Sequence, residues 1–248
     1  MKLSLFLFLL VLSNSCLAQY YSRAFDELKT CRTIQEVQAT VRKLQRDVTE
    51  ERISRSMGFG YHYTYYEFSL RPGNRLQNFR LYLVSENDTL RLAKLEGMHW
   101  RGHVSEKDFL VKDTKSIFEF LHQHHKVYKS SLTIKRFEKE ITNQLTYTFG
   151  CGLDGSDYAK EARLMKKYVA SSNQKKLLSW LRSTNTELQA YAATGLIQLK
   201  NQGLELGQEQ QRALDHLTKL NPPVLTCAGC IYGLTRSVRE VLGIDGND

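Results

Sequence analysis

Two cysteines three residues apart, in the stretch T-C-A-G-C-I at 226–231, are the closest this sequence comes to a chemical device. Cys227 and Cys230 precede an apolar series, Ile231, Leu234, Val238 and Val241, whose spacing predicts a helix beginning at or just after Cys230. A thiolate in the first turn of a helix is stabilised by free amides and the helix dipole, which is how redox C-x-x-C sites lower a cysteine pKa. Such sites also need a strand before the motif and a strand–helix continuation after it. Only 18 residues follow Cys230, and Pro222 and Pro223 limit any long strand before the pair. The expectation is therefore a structural bridge between Cys227 and Cys230, with redox use or metal ligation as alternatives. Cys31 and Cys151 are the other candidates for bridging, and four cysteines can pair in three ways.

The second candidate is the tract H-Q-H-H at 122–125. His122 and His125 stand three apart, which on a helix puts both imidazoles on one side and would suit a metal. A site needs at least one further ligand, and the spacing of His62, His99 and His103 selects none of them. His124 points the other way and is expected to pack. Asp154, Asp157 and Glu161 are too few oxygens for a calcium loop, so Ser156 or Asp157 is read as a helix cap. The chain contains no G-x-S-x-G, no H-E-x-x-H and no phosphate-cradling glycine loop. No catalytic residue and no cofactor is assigned. An extracytoplasmic enzyme, using the thiols or the His122/His125 tract, is the alternative to a binding protein.

These residues hang on a chain of 248 residues with 35 Lys and Arg against 26 Asp and Glu, a net charge of +9. The opening M-K-L-S-L-F-L-F-L-L-V-L has one cation and an apolar run, followed by small or polar residues to Ala18. That layout predicts a secretory signal peptide over residues 1–18 and a mature start at Gln19. A lipoprotein anchored at Cys16 is the alternative. The expected location is periplasmic or extracellular, where disulfides persist, and the run is too short to span a bilayer.

Residues 19–150 read as an α+β domain. A capping box, Thr33 with Glu36, opens a helix carrying Val37, Val41, Leu44 and Val48. Alternating segments at 61–70, 78–84 and 89–95, separated by turn residues, predict a meander of three or four antiparallel strands, with Met98–Val104 as one more. Two helices follow, with Ile117, Leu121 and His124, then Ile134, Phe137, Ile141 and Leu145, as buried stripes. The Gly-rich stretch F-G-C-G-L-D-G-S-D is read as a joint.

Residues 151–248 read as all-helical, with apolar stripes at 158–169, 177–181, 188–199 and in the segment 207–220. A second capping box, Thr184 with Glu187, is expected to open the third of these helices. E-L-Q-A-Y-A-A-T-G-L-I-Q-L resembles the second helix of a HEAT-type repeat over about 30 residues, Ser171–Lys200. The resemblance implies an Ala-rich face packed on the preceding helix and a tendency to bind macromolecules. It carries no catalytic residue.

The buried stripes leave Lys160, Arg163, Lys166, Lys167, Lys175, Lys176 and Arg182 on outward positions of two neighbouring helices. These are the candidate binding residues. Taken together, the sequence predicts an exported, bacterial-type binding or scaffolding protein. Its partner is a protein or an anionic envelope polymer, with no specific nucleic acid and no transmembrane span.

Overall fold

A computed structural model describes residues 22–44, 50–70, 77–98, 104–151, 159–229 and 231–244. The expected signal peptide, Cys16, Gln19, Ser156, Asp157 and Cys230 lie outside the described residues. The chain is α+β, mixing helices with antiparallel sheet, and it divides into two compact units. One comprises residues 1–54 and 61–113, the other residues 55–60 and 114–248. The division thus falls at Asp113/Thr114 and not near residue 150. The two helices expected to close the N-terminal domain belong to the second unit.

The first unit begins with helix α1, described over residues 22–28, and α2 (Ile34–Leu44). The Thr33 hydroxyl accepts from the Glu36 amide, and the Glu36 carboxylate accepts from the Arg32 and Thr33 amides, so the capping box forms at α2. The meander follows as β1 (Glu50–Gly58), β2 (Tyr61–Leu70), β3 (Gln77–Glu86), β4 (Thr89–Met98) and β5 (Val104–Lys112), paired in chain order. β1 is an addition to the expected meander. β4 runs on to Met98, and the fifth strand starts where the expected extra strand ends.

The tight hairpins have a local cause. Asn87 and Asp88, between β3 and β4, both hold positive φ, as do Phe59 and Gly60 between β1 and β2. Two-residue hairpin loops favour this mirror-image turn because its twist matches that of the strands. One sheet face, with Tyr66, Phe68, Phe79, Leu81, Leu83 and Leu95, forms a core with Ala24, Leu28, Val37 and Val41 of the two helices.

The second unit contains α3 (Thr114–Tyr128), α4 (Ile134–Thr142), α5 (Lys160–Ala170), α6 (Gln174–Leu181), α7 (Thr186–Asn201) and α8 (Gln208–Leu220). Of the stripes expected on α3 to α7, Ile117, Leu121, His124, Phe137, Ile141, Ala162, Met165, Val169, Leu177, Leu181, Tyr191, Leu196 and Leu199 are buried, whereas Ile134, Leu145, Leu178 and Leu188 are half-buried and Tyr158 lies outside the described residues. Gly195 shows why small residues are needed on α7. A Cβ there would stand 2.8 Å from Leu177 Cδ2 and 3.1 Å from Met165 Cγ, so α6 and α5 close onto bare backbone. α5 starts with Ala159 at its cap position and no side-chain cap bond; the cap expected at Ser156 or Asp157 lies outside the described residues.

This unit is not all-helical. After α8 the chain forms the antiparallel hairpin β6 (Pro223–Ala228) and β7 (Ile231–Ser237), and among the described residues that follow only Val238–Leu242 is helical, as α9. Ile231, Tyr232, Leu234 and Thr235 are strong strand formers. The expected helical stripe counted Ile231 and Leu234 together with Val238 and Val241. The actual helix start is a capping box, with Ser237 accepting from the Glu240 amide at 3.2 Å and Glu240 accepting from the Ser237 amide. The Gly-rich stretch is annealed to this hairpin at one end: Tyr147 and Cys151 form parallel bridges to Thr226 and Gly229.

Candidate functional site

The cysteines come together differently from the sequence expectation. Cys151 and Cys227 form the disulfide, with Cα atoms 5.9 Å apart. The parallel bridges from 147 and 151 bring these two together, and the Tyr147 amide donates to the Leu225 carbonyl at 2.8 Å. A Cys227–Cys230 bridge is therefore excluded, since the Cys227 sulfur is already bonded. The thiol-redox reading loses its second support too, because the residue after Cys230 is in a strand and the next helix starts at Val238. Cys31 is a free, buried thiol, 3.4 Å from the Thr40 hydroxyl.

The two histidines lie on the exposed side of α3, one turn apart. Among the described residues no group of three or more His, Cys, Asp or Glu side chains gathers to hold a metal, so no further ligand joins His122 and His125. They line something else. Phe118 stands 63% exposed on the same side of α3 and forms the wall shared by two hollows. The first, of 580 Å³, is walled by Phe118, Leu121, Leu132 and Ile134, with His122, His125 and Lys135 also in its lining. The second, of 590 Å³, includes Phe59, Glu119, His122 and Lys126. Phe118 was legible only by subtraction, as the aromatic left off the stripe of Ile117, Leu121 and His124.

His124 is buried as expected. Its ring stacks on Tyr128 at 4.5 Å, and Nδ1 lies 2.8 Å from the Ser130 hydroxyl. Burial pushes its pKa down to about 4, against the opposing pull of the Ser183 backbone and Glu140; His216 and His125 add to the lowering. An exposed imidazole, as in the unfolded chain, has an ordinary pKa of about 6.5. Below that pH the unfolded chain takes up a proton that the folded one refuses. Stability contributed by neutral His124 is therefore whole above about pH 6.5 and declines toward pH 4, by up to about 3 kcal/mol at 1.36 kcal/mol per pH unit. Urea unfolding at stepped pH should show this slope between pH 6.5 and 5, and His124→Phe should flatten it. An unchanged slope in that variant would remove His124 as its source.

The sheet of the first unit carries a polar cluster that sequence reasoning missed. Glu67 accepts from Tyr65, from Arg52 Nε at 3.0 Å and from Arg80 Nε at 3.2 Å. Glu96 accepts from Tyr82 at 3.1 Å and from Lys94 at 2.8 Å. Burial alone would raise the Glu67 pKa, but the Tyr65 hydroxyl, Arg52 and Arg80 together hold it below the carboxylate range. Burial also pushes Tyr65 and Tyr82 well above the usual phenol range, reinforced by Glu67 and Glu96 respectively. Glu67 with its cations, and these two phenols, are thus held away from a pKa near neutrality, where an acid–base catalyst works best. The period-two alternation of 61–67 put Tyr63, Tyr65 and Glu67 on one face and could have located the cluster.

The cations singled out from the sequence mostly form one surface. Lys160, Arg163, Lys166, Lys167, Lys175 and Lys176 are all exposed on α5 and α6. Lys166 lies over the Phe149 ring at 6.0 Å. Arg182 does not join them, since it pairs with Glu209 at 2.6 Å on α8. Glu187, expected from the sequence as a capping-box partner, is withdrawn inward. Asn185 takes the cap position, accepting from the Leu188 amide at 3.0 Å, while Glu187 binds Arg55 through both oxygens at 2.6 and 3.1 Å. Glu161 is then the only acid on α5 and α6.

Among the described residues no helix is long and apolar enough to cross a membrane. Comparison with protein-family models, curated proteins and solved structures finds no match.

Proposed function

We propose that the protein is an exported binding or scaffolding protein whose basic α5–α6 face engages an anionic polymer or surface. The observation that carries this reading is the run of six exposed cations on two consecutive helices with Glu161 as the single acid among them. Both helices are fixed from behind by buried Met165, Val169, Leu177 and Leu181, so the charges sit on a rigid support. The Cys151–Cys227 disulfide is compatible with an exported setting. The close approach of α6 to α7 at Gly195 supports the HEAT-type resemblance, and with it a preference for macromolecular partners.

Contacts of this kind are screened by salt over about 8–10 Å at physiological ionic strength. Retention on a dextran sulfate column should therefore fall as salt rises. Reversing Lys160, Arg163 and Lys167 to Glu should abolish it at low salt while the protein stays folded by circular dichroism, because all three side chains are exposed. Equal retention of the triple variant would defeat the assignment of this face.

A further inference from the structure

The hollow between α3 and α4 has no role in the reading above and is chemically different from the α5–α6 face. Its walls are apolar, its 580 Å³ falls within the size range of small-molecule sites, and its lining contains no carboxylate. His122, His125 and Lys135 are the ionisable groups in that lining, and among the described residues none of them makes an ion pair. Phe118, exposed to solvent, forms one wall. An apolar surface this open costs free energy in water, and the Lys135 ammonium beside it, with two imidazoles as further hydrogen-bonding groups, favours an occupant with an anionic head.

The geometry points to a binding site for a free single-chain amphiphile, its apolar chain against Phe118, Leu121, Leu132 and Ile134 and its anionic head at His125 and Lys135. The opening shared with the neighbouring hollow at Phe118 and His122 gives the chain a second place to extend, past Phe59. This site stands independently of the basic face of α5 and α6.

Decanoate, kept below its micelle concentration, is the probe. Titrated into the full chain and followed by amide NMR, it should bind saturably and shift the signals of Phe118, His122 and residues 131–135. The double substitution His125→Glu with Lys135→Glu places two carboxylates at exposed positions where the head group would sit. It should weaken decanoate by about tenfold or more, the size of one lost charged contact, and leave decyltrimethylammonium no weaker. Phe118→Ser, also at an exposed position, should weaken both probes. The Lys160, Arg163, Lys167 triple reversal should leave decanoate affinity unchanged, which separates failure of this site from failure of the α5–α6 face. The proposal is overturned by any of four results: no saturation, shifts that map elsewhere, equal binding of decanol and decanoate, or association only with phosphatidylglycerol vesicles.

Discussion

Replacing Glu187 with Gln is expected to cost about 3–5 kcal/mol, the usual consequence of removing one partner from a buried ion pair. The side chains of Arg55 and Glu187 are 6% and 2% exposed, and the guanidinium meets the carboxylate edge to edge. Glu187 also accepts the Leu225 amide at 3.0 Å, and Arg55 reaches the Pro223 carbonyl at 3.3 Å, so the pair ties α7 to the start of β6. Gln keeps the shape and can still accept from Leu225, but it leaves a guanidinium uncompensated in the interior. That residual charge, and not a lost hydrogen bond, is what makes the effect large. A partner change distinguishes the two. Adding Arg55→Met to Glu187→Gln removes the stranded charge and should recover much of the loss, since apolar replacement of a buried pair is often near neutral. Urea unfolding of the single and double variants measures this. A loss below about 1 kcal/mol in Glu187→Gln, in the range of exposed pairs, would show that the pair is not desolvated in solution.

This pair also shows where sequence patterning stops. Thr184 and Glu187 have the spacing of a capping box, and the same motif at Thr33 and Glu36 does form one. The difference is tertiary. Thr184 is held by Glu140, which accepts both its amide and its hydroxyl, so Asn185 takes over as cap and Glu187 is free to turn inward to Arg55. Nothing local to 184–187 reports that Glu140 and Arg55 will arrive there. Periodic stripes were legible because a helix or strand must bury one face wherever it packs: Ala162, Met165, Val169, Leu177 and Leu181 were read directly and are buried. The hairpin β6–β7 was not, because Ile231, Leu234, Val238 and Val241 satisfy a helical period by accident across a strand–helix boundary. Arg182 illustrates the same limit on a surface. Its outward position was legible, but its neutralisation by Glu209 depends on α8 packing beside α6.

The disulfide is expected to matter more than a C-x-x-C staple would. Cys151 and Cys227 are 76 residues apart in sequence, so the bond closes a loop containing α5, α6, α7 and α8. In the chain-entropy account, a loop of that length restrains the unfolded chain by about 4 kcal/mol, whereas the four-residue ring of a Cys227–Cys230 bridge would give only a fraction of it. The bond also holds the strand-like segment around Tyr147 against β6. In that segment the Tyr191 hydroxyl accepts the Thr148 amide at 2.7 Å, and the Tyr147 hydroxyl lies 2.8 Å from that of Thr194. Those hydrogen bonds remain without the disulfide, so the fold should survive its loss with lower stability. Changing Cys151 and Cys227 together to Ser should lower the melting temperature by roughly 10–15 °C, taking about 2–4 °C per kcal/mol for a chain of this size. Reduction of the native protein should lower it similarly, while Cys230→Ser alone should leave it nearly unchanged. Peptide mapping without reductant supplies the covalent check: a linked pair of peptides containing Cys151 and Cys227 is expected. A single peptide carrying a Cys227–Cys230 bond, or a Cys230→Ser variant as unstable as the double Ser variant, would show that the protein in solution uses the shorter pairing.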